Sequence, residues 1–420
     1  MTLALAAADR ALLEGAQGPA AAMAMRVVAE AARLMGAASL IAIESAHLDG
    51  CLYHGDSGVH FAERMVALGG SVAVPTTLNV GALDLLHPGR VRFDPETRAM
   101  ARRLMAASEA LGARPTWTCA PYQAGHRPRL GVHVAWGESN AVAFVNSVLG
   151  ARTNRLGDFL DLCCAITGRA PCYGLHLDGE RRARIVIDAS ALSDRLRTLD
   201  AFYPVLGAFL GSEAGSTVAA ITGLPNGTDE DRLKALGAAA ASTGAVGLFR
   251  AVGVTPESPG LAAALGGVEP ERRIVITPEM LRASRDRLST AAAGSDAIDA
   301  VAVGSPHFSP AEFRALAGLT RDARFSVPFY ACTSRASLET IEREGLRRPL
   351  EAAGLQIIVD TCVVVAPILP PDAGVLMTNS GKFAFYAPAN TGFATIYGSL
   401  ADCVASAIAG KVTRDESAWA

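Results

Sequence analysis

The last third of the chain repeats one order. A short β-branched run leads into a small polar turn, and a helical stretch follows. Residues 297–303 (AIDAVAV) lead to GSPHFS at 304–309, 327–331 to CTSRAS at 332–337, 355–359 to DTCVVVAP at 360–367, and 375–378 to NSGKFAFYAP at 379–388. A chain that alternates this way is committed to parallel strands, because each strand is re-entered from the same end through a helical crossover that covers one face of the sheet. The expected fold class is α/β, built from α/β/α layers with mostly parallel sheets. All the polar turns then lie at the carboxyl ends of strands, the side on which such folds build their sites.

The first part carries the same signals less regularly. Residues 3–36 read as two Ala-rich helices broken at Gly18–Pro19, 39–45 (SLIAIES) as a buried strand, and 46–58 (AHLDGCLYHGDSG) as an irregular loop holding His47, Asp49, Cys51, His54 and Asp56. A helix is expected over 59–68, a short strand over 71–74 stopped by Pro75, and a helix over 95–111. Further strands are expected at 183–188, 216–222, 242–248 and 250–257, with helices over 229–241, which carries Lys234, over 278–293 and near 401–408. Ser309, Pro310 and Glu312 spell a helix start with a capping box. Length favours two or three domains. The borders are placed at 1–205, 206–295 and 296–420.

The run 131–173 holds Glu138, Ser139, Asn140, Asn146, Ser147, Arg152, Thr153, Asn154 and Arg155 in otherwise apolar surroundings. Polar groups that leave water need partners. So dense a group is expected to face something polar, and Arg152 with Arg155 reads as an anion or cluster-loop site. A formal net charge of −3 offers no basic face for nucleic acid. No apolar run reaches the ~20 residues that span a bilayer, and the N-terminus reads as an amphipathic helix, not a signal peptide. Eight cysteines without paired spacing read as reduced thiols of a cytoplasmic protein.

Cys119 and Cys362 each follow a threonine just past a strand, and Cys51 sits in a glycine-rich loop. Thiolates from distant turns can converge on an iron–sulfur cluster, but buried cysteine also simply fills space, and with no CxxC the spacing favours the second reading. Cys163, Cys164 and Cys403 read as core. Lys382 is one of three lysines, with Lys234 and Lys411, and lies in an Asn-Ser-Gly turn. An anion-binding role and a surface position are equally open. Arg335 could fork onto a carboxylate or sit in solvent behind a Ser334 cap. Scattered histidines are usually structural, and of these only His54 stands out. No P-loop or strand-linked GxGxxG supports nucleotide binding.

Taken together, AHLDGCLYHGDSG, GGSVAVPTTLNVGALD, GVHVAWGESNAVAFVNSVLGARTNR, ITGRAPCYGLHL, GSPHFS, CTSR, DTCVVV and TNSGKFAFYAP resemble the aconitase X family over nearly the whole chain. The resemblance implies an aconitase-like fold and an iron–sulfur hydro-lyase. It also implies that the swivelling domain is supplied by a separate small subunit. It implies dehydration of cis-3-hydroxy-L-proline to Δ1-pyrroline-2-carboxylate, as in bacterial members, with mevalonate 5-phosphate, the archaeal substrate, as the alternative. A non-catalytic cluster-bearing scaffold is the reading from another class. Cys51, Cys119 and Cys362 are the implied ligands. The resemblance to the bacterial type implies a 2Fe-2S cluster over 3Fe-4S or 4Fe-4S, and Ser305, where archaeal relatives are expected to carry cysteine, speaks against a three-cysteine cluster of the archaeal kind. Ser71, Thr76, Thr77, Asn79, Arg335 and Lys382 are the implied holders of the substrate carboxylate. The base is expected to be a serine on the partner, with His54 or Glu138 as a relay and Lys382 beside them in the catalytic set.

Overall fold

The computed structural model describes residues 3–292, 294–372 and 374–419. The chain divides into two compact units. One comprises Met1–Leu83 and Phe93–Arg182, the other Asp84–Arg92 and Ala183–Ala420. Among the described residues no helix is long and apolar enough to cross a membrane.

The first unit opens with helices Ala7–Leu13 and Pro19–Leu34, parted where expected. Gly18 takes φ 91°, a conformation that favours glycine, and Pro19 fits the first turn, where its missing N–H costs nothing. Five short strands follow: β1 (Leu40–Ala42), β2 (Ala46–Leu48), β3 (Thr76–Leu78), β4 (Ala135–Trp136) and β5 (Arg169–Pro171). The single strand expected over 39–45 is two strands in different sheets. β1 pairs antiparallel with β5, whereas β2 lies between β3 and β4 and is parallel to both. Between them the chain changes partner: Ile43 N–H donates to the Gly168 carbonyl and Glu44 N–H to the His133 carbonyl.

The strand expected over 71–74 is also displaced. Val72 and Ala73 donate to the carbonyls of Leu111 and Ala165, and the ladder begins only beyond Pro75, whose carbonyl accepts from Ala46 N–H. Proline is tolerated at a strand's entry because no ladder donor is needed there. Helices Asp56–Ala67 and Pro95–Ala110 pack through Val59, Ala62, Leu104 and Ala107. Every residue of helix Leu160–Thr167 is buried, so Cys163 and Cys164 are core.

The second unit holds two all-parallel sheets. β6 (Ile185–Asp188), β7 (Ala219–Thr222), β8 (Phe249–Ala251) and β9 (Arg272–Val275) run in the order β8-β7-β6-β9. β10 (Ala300–Phe308), β11 (Phe329–Thr333), β12 (Leu355–Val359), β13 (Val375–Thr378) and β14 (Ala394–Tyr397) run in the order β12-β11-β10-β13-β14. The strand expected at 242–248 is absent because helix Glu230–Thr243 runs on through its alanines. That helix packs so closely on Phe202–Ala214 that a Cβ at Gly207 would strike the Leu236 carbonyl. β9 escaped the sequence reading because RRIV is an exposed strand with little apolar pattern. The helix expected over 278–293 ends at Asp286. The five-stranded sheet buries Val301, Val303, Phe329, Ala331, Ile357, Val359 and Met377, which is the parallel-sheet pattern of near-continuous apolar runs.

Candidate active-site residues

In the first unit the three parallel strands β3-β2-β4 end together. His47 pairs in register with Thr77 on one side and Trp136 on the other. The residues just past the carboxyl ends are therefore Asp49, Asn79 and, beyond Gly137, Glu138. Asn79 N–H donates to the Leu48 carbonyl at 2.9 Å, which fixes its backbone, and its amide nitrogen donates to Asp49 Oδ1. Its amide oxygen is buried and has no partner among the described residues. Asp161, from the buried helix, accepts the N–H groups of Asp49 (2.7 Å), Gly50 (3.2 Å) and Leu162 (2.6 Å), so it shapes the loop after β2. Burial, together with the charges of Glu138, Asp158 and Asp161, pushes the Asp49 carboxyl up to about 7. Burial raises Asp161 to about 6 against its backbone hydrogen bonds. Only glycine fits at 137, where a Cβ would lie 2.9 Å from Asp161 Oδ2 and 2.9 Å from Asp49 Cβ.

Glu138 is buried and caps helix Ser139–Phe144. Oε2 accepts from Ala141 N–H at 2.9 Å and from the Asn140 amide, and Oε1 accepts from the Ser139 hydroxyl at 3.4 Å. These bonds fix its carboxylate. A polar chain lies within the sheet behind it. Thr77 Oγ1 is 2.8 Å from His47 Nδ1 and 2.7 Å from His126 Nδ1, and His126 Nε2 is 2.8 Å from Ser45 Oγ. One hydroxyl proton serves two rings, so Thr77 donates to one and accepts from the other. Thr76 is turned back on the Val74 carbonyl at 2.8 Å. Ser71 is exposed and precedes β3, away from Asn79 beyond the other end of that strand. His54 is exposed in the loop before helix Asp56–Ala67.

Most of the polar run is occupied with its own backbone. Asn146 exchanges two hydrogen bonds with Thr153, at 2.9 Å and 3.1 Å. Asn154 bridges the Tyr173 carbonyl and Leu175 N–H, and Asn140 donates to the Cys119 carbonyl. Arg152 pairs with Asp178 at 2.5 Å, and Arg155 is exposed. Arg181, which the sequence reading passed over, is buried and donates to the carbonyls of Leu175, Asn146 and Ala151.

In the second unit the turns after β10, β11, β12 and β13 carry the conspicuous side chains. Arg335 forks onto Asp360, with Nε to Oδ1 at 2.7 Å and Nη2 to Oδ2 at 2.6 Å. Two of its donor groups thus grip an internal carboxylate. Asp360 takes φ 64° and turns the chain toward Thr361 and Cys362, whose carbonyl accepts from Val365 and Ala366 N–H. Lys382 is the second residue of helix Gly381–Thr391, which Ser380 caps by accepting from Phe383 N–H at 3.0 Å. The Ser380 hydroxyl also donates to the Ser305 carbonyl. Lys234, left unassigned by the sequence, lies fully buried under GSPHFS. Its Nζ reaches Asp231 Oδ1 at 2.8 Å, the His307 carbonyl at 3.3 Å and Glu312. Its carboxylate partners in turn hold Ser309, through Ser309 Oγ to Asp231 at 2.6 Å and Ser309 N–H to Glu312 at 2.8 Å.

The donor types fit an iron–sulfur cluster unevenly. All eight cysteines are free thiols. Cys119 and Cys362 are buried in irregular turns that follow left-handed residues, Trp117 at φ 42° and Asp360 at φ 64°. Soft sulfur donors of this kind suit iron. Cys51 does not fit. Its Sγ lies 3.4 Å from the Leu48 and Asn79 carbonyls and 3.8 Å from that of Val80, and burial beside Asp49 and Asp161 pushes the thiol well up. A thiol so placed donates to those carbonyls. Among the described residues no three His, Cys, Asp or Glu side chains stand ready to hold a metal ion.

Family profiles for the aconitase X first, second and third domains match residues 2–179, 183–286 and 298–409. The chain belongs to the aconitase X family. Across its length this aconitase X chain is 43% identical over 420 residues to the cis-3-hydroxy-L-proline dehydratase of Pseudomonas aeruginosa, covering 99% of this chain and 72% of that protein. It is 36% identical over 393 residues to the phosphomevalonate dehydratase large subunit of Methanothermobacter thermautotrophicus, covering 93% of this chain and 95% of that one. The crystal structure of Thermococcus kodakaraensis aconitase X in its holo form superposes with a TM-score of 0.86 at 32% identity, over 96% of this chain and all of that one.

Proposed function

We propose that this chain is an iron–sulfur hydro-lyase subunit that dehydrates cis-3-hydroxy-L-proline to Δ1-pyrroline-2-carboxylate. The observation that carries the reading is the 43% identity, along 99% of the chain, to a protein named for that reaction. The mevalonate 5-phosphate alternative is supported by the 36% match to a phosphomevalonate dehydratase large subunit. A small partner subunit and a cytoplasmic setting belong to the same proposal, as does a 2Fe-2S form of the cluster. Cys119 and Cys362 are its proposed thiolate ligands, with Cys51 set aside.

The Cα–H bond breaks, its electron pair forms a C=C bond to C3, and the C3–O bond breaks as water leaves. The resulting enamine tautomerises to the imine. When bound, the cluster supplies Lewis-acid help to the departing hydroxyl. Lys382, at a helix start where positive partial charge collects, is proposed to hold the substrate carboxylate as charge builds beside it. Glu138 has its oxygens engaged in capping and serves position, which leaves the base to the partner subunit. Arg335 acts on the turn that carries Cys362, through Asp360.

The test is turnover of both substrates by anaerobically purified protein, with and without its small subunit. Formation of Δ1-pyrroline-2-carboxylate supports the reading. Dehydration of mevalonate 5-phosphate alone would replace it. Full activity in iron-free protein would contradict it, and an iron-bearing protein inert to both with its partner present would favour the scaffold reading.

A further inference from the structure

A carboxylate and an amide oxygen stand side by side past the ends of β2 and β3. Asn79 is 2% exposed, and its backbone is held from two sides: its N–H donates to the Leu48 carbonyl, and its own carbonyl accepts the Cys51 thiol. Its amide nitrogen donates to Asp49 Oδ1. The reverse placement would set the amide oxygen against a carboxylate oxygen, so the bond to Asp49 Oδ1 fixes which way the amide points. The amide oxygen is thereby left buried and without a partner among the described residues. A buried acceptor left unpaired is unfavourable, and a donor arriving from a ligand removes that penalty. Asp49 itself is half-buried and faces the carboxylates of Glu138, Asp158 and Asp161, together with the Cys51 thiol. A concentration of negative charge of this kind favours a cationic guest.

We infer that Asp49 and the Asn79 amide oxygen form an acceptor pair for the secondary ammonium of a cyclic amino acid. A secondary ammonium has two N–H donors, and this pair offers two acceptors. The inference rests on the hydroxyproline reading and deepens it. It makes these two residues the determinants that separate a ring-nitrogen substrate from a phosphorylated hydroxy acid, which brings no donor of this kind. It also reassigns Asn79 from the carboxylate end of the substrate to its nitrogen. The loop that presents Asp49 is held by Asp161 through the N–H groups of Asp49 and Gly50, so the acceptor is set in place before the ligand arrives.

The experiment compares two ligands that are not turned over: L-proline, which carries the ammonium, and tetrahydrofuran-2-carboxylate, which has a ring oxygen in its place. Dissociation constants are measured by calorimetry on the full chain, with any small subunit that co-purifies, for wild type, Asp49→Asn and Asn79→Leu. Wild type is expected to prefer L-proline by about 30-fold, the scale of a hydrogen bond to a charged group. Each variant is expected to bring the two ligands within about threefold by weakening L-proline alone. No preference in wild type overturns the inference. So does a variant that melts like wild type and keeps the full preference, and two variants guard against one that fails to fold. Hydroxyproline turnover is read separately. A preference for L-proline without turnover keeps the ammonium pair and overturns the substrate assignment, whereas turnover without the preference does the opposite.

Discussion

Arg335 and Asp360 meet through two parallel hydrogen bonds, 2.7 Å and 2.6 Å long, at the start of the turn that carries Cys362. Asp360 is fully buried and its carboxyl lies above its usual range, because burial outweighs the guanidinium beside it. Lysine reaches such a carboxylate with one donor group and cannot reproduce the fork. Arg335→Lys is expected to lower stability by about 2 kcal/mol and to reduce iron content, read by chemical denaturation and by metal analysis.

The thiols give a sharper contrast. Cys119→Ser and Cys362→Ser should each strip iron and its visible absorption from the purified protein. Cys51→Ser should keep both, since a serine hydroxyl can donate to the same carbonyls that the Cys51 thiol faces. Iron loss in the Cys51 variant would restore that residue to the ligand set.

Lys234 is a buried cation between Asp231 and Glu312. Lys234→Met leaves two carboxylates and the His307 carbonyl without their common donor. An uncompensated buried charge costs about 3–5 kcal/mol. The variant should denature at markedly lower urea, and adding Glu312→Gln should recover part of the loss.

How much of this could be read beforehand depended on whether a signal was local. β11, β12 and β13, the Ser309 capping box and the break at Gly18–Pro19 follow from neighbouring residues and stand at or close to where the sequence puts them, whereas β10 runs on through the expected turn GSPHFS to Phe308 and β14 was not expected. The partner switch between β1 and β2 depends on β5, far along the chain, and no local pattern encodes it. The same holds for side chains. The density of polar groups over 138–155 was visible, but its main purpose, closing a buried backbone turn through Asn146 and Thr153, was not. Arg335 illustrates the limit: its position at a strand end was legible, but the carboxylate that claims it lies 25 residues on.

Acid should destabilise the fold through histidines buried neutral. Burial brings His126 down to about 4 from the 6.5 of a free side chain, with the charge of Arg114 as a smaller cause. Between those values the unfolded chain binds a proton that the folded one does not. The contribution of His126 is therefore present above pH 6.5 and is lost as pH falls toward 4. Between pH 6.5 and 5 this amounts to about 2 kcal/mol for this one group. His126→Gln should flatten that part of the profile, measured by urea denaturation at a series of pH values.

Gly137→Ala places a methyl against Asp49 and Asp161. Displacing those carboxylates is expected to lower kcat/KM by roughly tenfold, about 1.4 kcal/mol of barrier, with iron content unchanged.

The most direct test of the central claim is the product formed from cis-3-hydroxy-L-proline by the anaerobically purified, iron-bearing protein with its small subunit. The account predicts Δ1-pyrroline-2-carboxylate, with activity lost in Cys119→Ser and Cys362→Ser in step with their iron. No dehydration of this substrate by a fully iron-loaded complex, or full dehydration by the iron-free one, would contradict it.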